Sequence, residues 1–113
     1  MILEKYRHGL DGFEATLTRE ALAREVTYGP RVEMPLGDLL RHYSVEVRAH
    51  TWDLAQATGR DIVLEPELVQ DALETAEAFA AGARRAGMLG FELPVPDGAD
   101  DQTRLLARLG RRT

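Results

Sequence analysis

The sequence predicts an all-α fold: two observations lead to that prediction, and a third excludes another class of fold. Apolar residues recur at steps of three and four along three stretches of the chain, which is the period of one helical face. Proline and glycine fall at the ends of these stretches, where they begin and end helices. The 113 residues include no cysteine, which excludes a disulfide scaffold. A chain of this length is expected to form a single domain over residues 1–113.

The first helix is expected over residues 2–17, because apolar side chains there follow one another at steps of four, four, three and four. This stripe consists of Ile2, Tyr6, Leu10, Phe13 and Leu17. Residues 18–24 predict a short helical turn. Residues 25–34 are interrupted by Gly29 and Pro30, so they predict a loop or a short extended segment.

The longest helix is expected over residues 36–58, after Pro35 and before Gly59. Its apolar positions cover so much of the circumference that we expect protein to surround most of it. A third long helix is predicted to begin at Pro66 and to end near Gly87.

The remaining residues predict an extended surface segment followed by a short helix. Residues 88–98 contain Pro94 and Pro96 and cannot be helical for long. The expected apolar anchors of this segment are Met88, Leu89, Phe91, Leu93 and Val95. The final helix is expected to be capped by Asp100 and Asp101 and to end at Gly110. Its inward-facing residues are Leu105, Leu106 and Leu109.

The charge and hydropathy of the chain argue against two classes of partner, nucleic acids and membranes. The chain has 14 basic and 19 acidic side chains and a formal net charge of −5, which argues against binding to the phosphates of a nucleic acid. Neither a secretory signal nor a membrane-spanning apolar run is present in the sequence. We expect a cytoplasmic protein with no membrane partner.

One short stretch carries residues with metal-binding chemistry. His42, Glu46 and His50 are spaced four and four, so neighbouring pairs lie on one side of a helix. The outer pair is about 12 Å apart along the helix axis at about 1.5 Å per residue, too far to share one ion. The candidate ligand pairs are therefore Glu46 with His50 and His42 with Glu46. A surface ion pair is the competing interpretation of the same spacing.

The surroundings of His50 favour the first pair. His50 lies in an apolar stretch next to Trp52, on the helix that we expect to be the most buried, and a buried ionisable group needs a partner. Asp53 is interpreted as a hydrogen-bonding partner of nearby groups, or as a residue that orients His50.

A wider pattern resembles a known family. It comprises Glu46-x-x-x-His50-x-Trp52-Asp53-Leu54-Ala55-x-Ala57-Thr58-Gly59-x-Asp61, the helix start over residues 64–68, and Val95-Pro96-Asp97-x-Ala99-Asp100 with the residues that follow to Arg111. These motifs are similar to the C-terminal half of the mycothiol-dependent maleylpyruvate isomerase family, within the DinB-like superfamily. The resemblance implies an up-and-down four-helix bundle that binds a divalent metal, commonly zinc. It further implies Glu46 and His50 as metal ligands, and mycothiol or another low-molecular-weight thiol as cosubstrate in the isomerisation or transfer of a small molecule.

The chain also departs from that family. Its members begin with two further helices, one of which carries the remaining histidine ligand, so a partial DinB-like bundle is expected here. Glu46 and His50 are one ligand short of the three that an open catalytic zinc site has. The third could come from His8, from His42 or from another chain. The competing hypotheses are a metal- and thiol-dependent isomerase or transferase, a non-catalytic helical module that dimerises or is completed by a second chain, and a truncated gene product.

Overall fold

The computed structural model describes residues 1–29, 32–87 and 89–113, which form a mainly helical protein, as predicted. The chain divides into two compact units, Met1–Leu40 and Arg41–Thr113. The described elements, in chain order, are α1 (Ile2–Ala15), α2 (Arg19–Ala23), β1 (Glu25–Tyr28), β2 (Val32–Pro35), α3 (Leu36–Ala57), α4 (Pro66–Arg85) and α5 (Asp101–Arg108). None of the helices in this described part of the chain is long and apolar enough to cross a membrane.

The N-terminal unit begins with helix α1, which is exposed to solvent along its whole length. It ends two residues before the predicted position, where the Thr16 hydroxyl donates a hydrogen bond of 2.6 Å to the carbonyl oxygen of Phe13. The Thr18 hydroxyl caps α2 by accepting a 3.1 Å hydrogen bond from the backbone N–H of Ala21. No side chain that the structure describes in this unit is buried.

Residues 25–28 and 32–35 form two antiparallel strands, where the sequence predicts a loop or a short extended segment over residues 25–34. Strands β1 and β2 pair with Glu25 opposite Pro35 and Tyr28 opposite Val32. Gly29 begins the connection at a φ of +65°, a conformation that glycine adopts without strain. Pro30, the other predicted interruption, lies outside the described residues. The extended alternative is confirmed, and the pairing of the two strands is the feature that the sequence interpretation missed.

The core belongs to the C-terminal unit and is built from small residues of α3 and α4 against leucines of α5. Leu105, Leu106 and Leu109 are at most 3% exposed, which confirms their predicted inward direction. The α4 residues packed there include Val69, Ala72, Leu73 and Ala76. The small side chains of Ala72 and Ala76 let the helices approach closely, so the core is compact.

Helix α3 differs from the sequence prediction because most of its surface is open. Only Val45, Ala49 and Ala55 are buried, all towards one side. Val47 is 56% exposed and Leu54 is 67% exposed. The expectation that protein surrounds most of α3 is therefore wrong for the described chain.

Helix α5 has the predicted ends. The Asp100 carboxylate accepts a 2.8 Å hydrogen bond from the Thr103 backbone N–H at the start of α5. At the other end Gly110, at a φ of +81°, turns the chain, and the Arg111 N–H donates a 2.7 Å hydrogen bond to the Leu106 carbonyl. The N–H of Gly110 bonds the Ala107 carbonyl at 3.0 Å, which completes a Schellman motif.

Hydrogen bonds join two other segments of the C-terminal unit to α5. The Gln102 side chain accepts a 2.6 Å hydrogen bond from the Leu64 N–H and donates one of 3.0 Å to the Ile62 carbonyl. The Leu93 N–H donates a 3.0 Å hydrogen bond to the Ala107 carbonyl. Of the predicted anchors, Leu89 and Leu93 are half-buried, whereas Val95 is exposed and Phe91 is 90% exposed, so Phe91 does not anchor this segment. Met88 lies outside the described residues.

Candidate functional site

Glu46 and His50 lie one turn apart on the exposed side of α3, as their spacing predicts. Both side chains are open to solvent, which corrects the expectation that His50 lies in a buried apolar environment. Burial therefore does not oblige His50 to have a partner. Glu46 and His50 are thus two adjacent candidate metal ligands, both exposed to solvent.

His42 points to a different neighbour. Its imidazole ring lies 4.6 Å from the ring of Phe79 on α4, centroid to centroid, at an interplanar angle of 31°. This contact packs the half-buried His42 side chain against α4. His42 is thus held by packing against α4, and the alternative ligand pair of His42 with Glu46 gains no support from this arrangement.

Within the described residues of one chain, Glu46 and His50 have no third candidate metal ligand beside them. No group of three or more histidine, aspartate or glutamate side chains that could hold a metal ion occurs in residues 1–29, 32–87 and 89–113. His8 is exposed on the polar side of α1. An open catalytic zinc site has three protein ligands, so Glu46 and His50 of a single chain do not fit one.

Asp53 has a partner that the sequence interpretation did not identify. Its carboxylate accepts hydrogen bonds of 3.2 and 2.9 Å from Nε and Nη2 of Arg111, 58 residues away in the sequence. These bonds hold the pKa of Asp53 below its ordinary value, helped by the positive charges of Arg111 and His50 and opposed by partial burial. Asp53 therefore fastens the chain after α5 to α3.

A mostly apolar stripe runs along the side of α3 that carries His50. We define the α3 stripe as Tyr43, Val47, His50 and Leu54, spaced four, three and four and exposed on one side of the helix. Val45 and Ala49, on the other side of α3, are at most 4% exposed within the core. One side of α3 is thus packed in the core of its own unit, and the other side exposes apolar side chains to solvent.

Comparison with known proteins finds relatives without an assigned activity. The chain is 32% identical over 103 residues to two uncharacterised proteins of Mycobacterium tuberculosis, Rv0738 of strain ATCC 25618 / H37Rv and MT0763 of strain CDC 1551 / Oshkosh. Each match covers 80% of this chain and 57% of the relative, so the chain spans little more than half the length of these proteins. No protein-family model and no solved structure matches the chain.

The resemblance to the mycothiol-dependent maleylpyruvate isomerase family stays a prediction, as does the thiol that it implies. The described residues offer two adjacent metal donors and, on the same side of α3, a row of exposed apolar side chains. Both features are open to a second protein surface.

Proposed function

We propose that the chain is a non-catalytic helical assembly module that pairs with a second copy of itself through the α3 stripe. The observation that carries this proposal is the exposure of large apolar side chains on one side of α3: Tyr43 is 43%, Val47 56% and Leu54 67% exposed. Removing apolar surface from water contributes about 25 cal/mol for each Å², and association occurs when this contribution exceeds the entropy that the two chains lose. Contiguous exposed apolar surface of this kind is typical of interaction sites.

The spacing of the stripe favours a second copy as the occupant. Steps of four, three and four read the same in both directions, so an antiparallel pair can have a two-fold axis midway between residues 48 and 49. This pairing puts Tyr43 against Leu54 of the partner subunit, and Val47 against His50 of the partner subunit. A surface that matches itself in this way is what a two-fold dimer requires.

Helix α1 supports the same class of function independently. Its apolar side chains share one side, and Ile2 is 82% and Phe13 53% exposed. An isolated helix of about 14 residues is marginal in water, so packing by another surface would stabilise it. The N-terminal unit thus also presents an amphipathic helix suited to a protein contact.

Sedimentation equilibrium over a wide range of protein concentration tests the pairing. We expect the native chain to dimerise and Leu54→Glu to raise the dissociation constant at least about tenfold, because a charge would be buried without a partner. Val63→Glu is the matched control, since Val63 is 89% exposed and lies outside the stripe. A monomer at every concentration, or equal effects of the two substitutions, would contradict the proposal.

A divalent cation shared between two copies is the second candidate function. Its support is the position of Glu46 and His50 beside and within the α3 stripe, where a two-fold axis would bring both pairs to the same side of the interface. Two copies would supply four donors, the number in a closed structural zinc site. Such a site leaves no open position for a thiol, so this candidate is a structural ion and carries no isomerase or transferase activity.

Elemental analysis of protein purified without chelator and equilibrated with zinc tests this second candidate. We expect one zinc for every two chains, and none in His50→Gln. His8→Gln is the matched control, because His8 is an exposed histidine on another helix and is expected to leave zinc uptake unchanged. Equal uptake by the two variants, or no uptake by the native chain, would exclude the shared ion. The dimer is tested separately in metal-free buffer.

A further inference from the structure

A groove of about 390 Å³ lies in the C-terminal unit and is lined by none of the residues of the α3 stripe. The extended segment and helix α5 both line it, and its apolar wall includes Leu93, Val95, Pro96 and Ala107. Arg111 and Arg112 also line it. Clefts of several hundred Å³ with mostly apolar walls and a few polar groups are the usual sites of small-molecule binding.

The groove is held in shape by the backbone. The hydrogen bond from the Leu93 N–H to the Ala107 carbonyl, 3.0 Å long, fixes the extended segment beside α5. Pro94 and Pro96 restrict φ on either side of Val95. The Schellman motif at Gly110 sets the direction of the chain that carries the two arginines. A ligand would therefore find the groove formed before it binds.

The two arginines differ in how their charges are compensated. The guanidinium group of Arg111 is fixed by its two hydrogen bonds to Asp53 and by a 2.8 Å bond from Nη1 to the Leu109 carbonyl. A guanidinium has five N–H donors, so with three in use two remain on Arg111. Arg112 is exposed and has no ion pair among the residues that the structure describes. Arg112 thus has no acidic side-chain partner among the described residues, and Thr113 beside it also lines the groove.

The two arginines of α5 itself are both paired with carboxylates. Arg104 pairs with Asp101 at 3.3 Å, and Arg108 lies 3.6 Å from the carboxylates of both Glu77 and Glu92. The chain as a whole is acidic, with a net charge of −5. An anion would consequently be attracted at Arg112 by a nearby charge, and not by the overall field of the protein.

We propose that this groove binds a small apolar carboxylate. The carboxylate contacts the guanidinium of Arg112 and the remaining donors of Arg111, since planar guanidinium groups match carboxylate geometry. The hydrocarbon part lies along Leu93, Val95 and Ala107. This site uses residues other than Glu46 and His50, and it does not depend on the pairing of two chains.

Titration of the isotopically labelled chain with acetate, butyrate, hexanoate and octanoate, followed by NMR, tests the proposal. We expect shifts concentrated at the amides of Leu93, Val95 and residues 111–113, with affinity rising up to about fourfold for each added methylene. Inorganic phosphate, which carries charge without hydrocarbon, is expected to bind no more tightly than acetate. Equal affinity for acetate and octanoate, or shifts spread over the whole chain, would indicate an adventitious ion only and overturn the proposal.

Two pairs of variants locate the site. Arg112→Gln is expected to weaken hexanoate binding about fivefold or more, whereas Arg104→Gln, on α5 and outside the groove, leaves it unchanged. Val95→Ser reduces the gain per methylene, and Val63→Ser does not. Equal effects within either pair would contradict the assignment. Unchanged hexanoate binding by Leu54→Glu separates this site from the proposed dimer.

Discussion

At the residue scale, the Gln102 side chain joins α5 to the segment that precedes α4, although the two are distant in sequence. It bonds both the N–H of Leu64 and the carbonyl of Ile62, and Leu64 is a buried core residue. Gln102→Ala would leave both backbone groups without these partners, so we expect it to lower the free energy of unfolding by about 2 kcal/mol. Urea denaturation measures this loss. Gln56→Ala, at an exposed position of α3, is expected to cost less than about 0.5 kcal/mol, and an equal loss would refute the role of Gln102.

The Asp53 and Arg111 pair makes stability depend on pH. The pKa of Asp53 is lowered in the folded chain, so its contribution is complete above the ordinary aspartate pKa and is lost as pH falls through the folded value. The Asp53 side chain is 39% exposed, which limits the expected cost of Asp53→Asn to about 1 kcal/mol at neutral pH.

Urea denaturation at a series of pH values should therefore show the native chain and Asp53→Asn converging below about pH 4. Asp61→Asn, at an exposed position, serves as the control for removing one negative charge. A constant difference between the native chain and Asp53→Asn down to pH 2 would show that the ion pair is not its source.

At the element scale, α1 contains two glycines with no local structural purpose. A Cβ atom added at Gly9 or Gly12 would meet no atom within 4 Å, so each substitution by alanine should stabilise α1 by up to about 1 kcal/mol. Circular dichroism should show increased helicity in the double variant. Gly110→Ala is the contrasting control, because a φ of +81° makes that change destabilising. A loss of stability on Gly9→Ala would instead indicate that another backbone packs there.

The elements were predictable where local chemistry decides them. Pro66 begins α4, Gly59 follows α3 and Asp100 caps α5, because these residues act on the backbone within one turn. The hairpin was missed because its strands have only four residues each, too few to show a clear alternation. The burial of α3 was mispredicted for a different reason: helical periodicity identifies an apolar side but does not reveal whether anything covers it.

The same holds for the candidate site: the sequence predicts the features that local spacing decides, but not those that depend on tertiary packing. The spacing of Glu46 and His50 was enough to place them on one side of a helix, and the structure has them there. Their exposure depends on which side of α3 meets α4 and α5, which no local pattern encodes. The pairing of Asp53 with Arg111 joins residues 58 positions apart, and a single sequence gives no signal for such a contact.

At the scale of the whole molecule, the described buried side chains all belong to Arg41–Thr113, and none belongs to Met1–Leu40. Hydrophobic burial is the dominant stabilising contribution in folding, so the two units should differ widely in resistance to local opening. Hydrogen exchange should therefore be fast for the amides of α1 and slow for those of α4 and α5.

The variant Leu105→Ala tests whether the two units open independently. Leu105 is fully buried at 0% exposure, and its truncation should cost about 3 kcal/mol. Because the cost falls on the C-terminal core, the amides of α4 and α5 should lose protection together, about 100-fold in exchange rate, while those of α1 keep theirs. If α1 is as well protected as α5 in the native chain, or loses protection with Leu105→Ala, then its apolar side is covered by protein. In that event the amphipathic surface of α1 would be part of the same cooperative core.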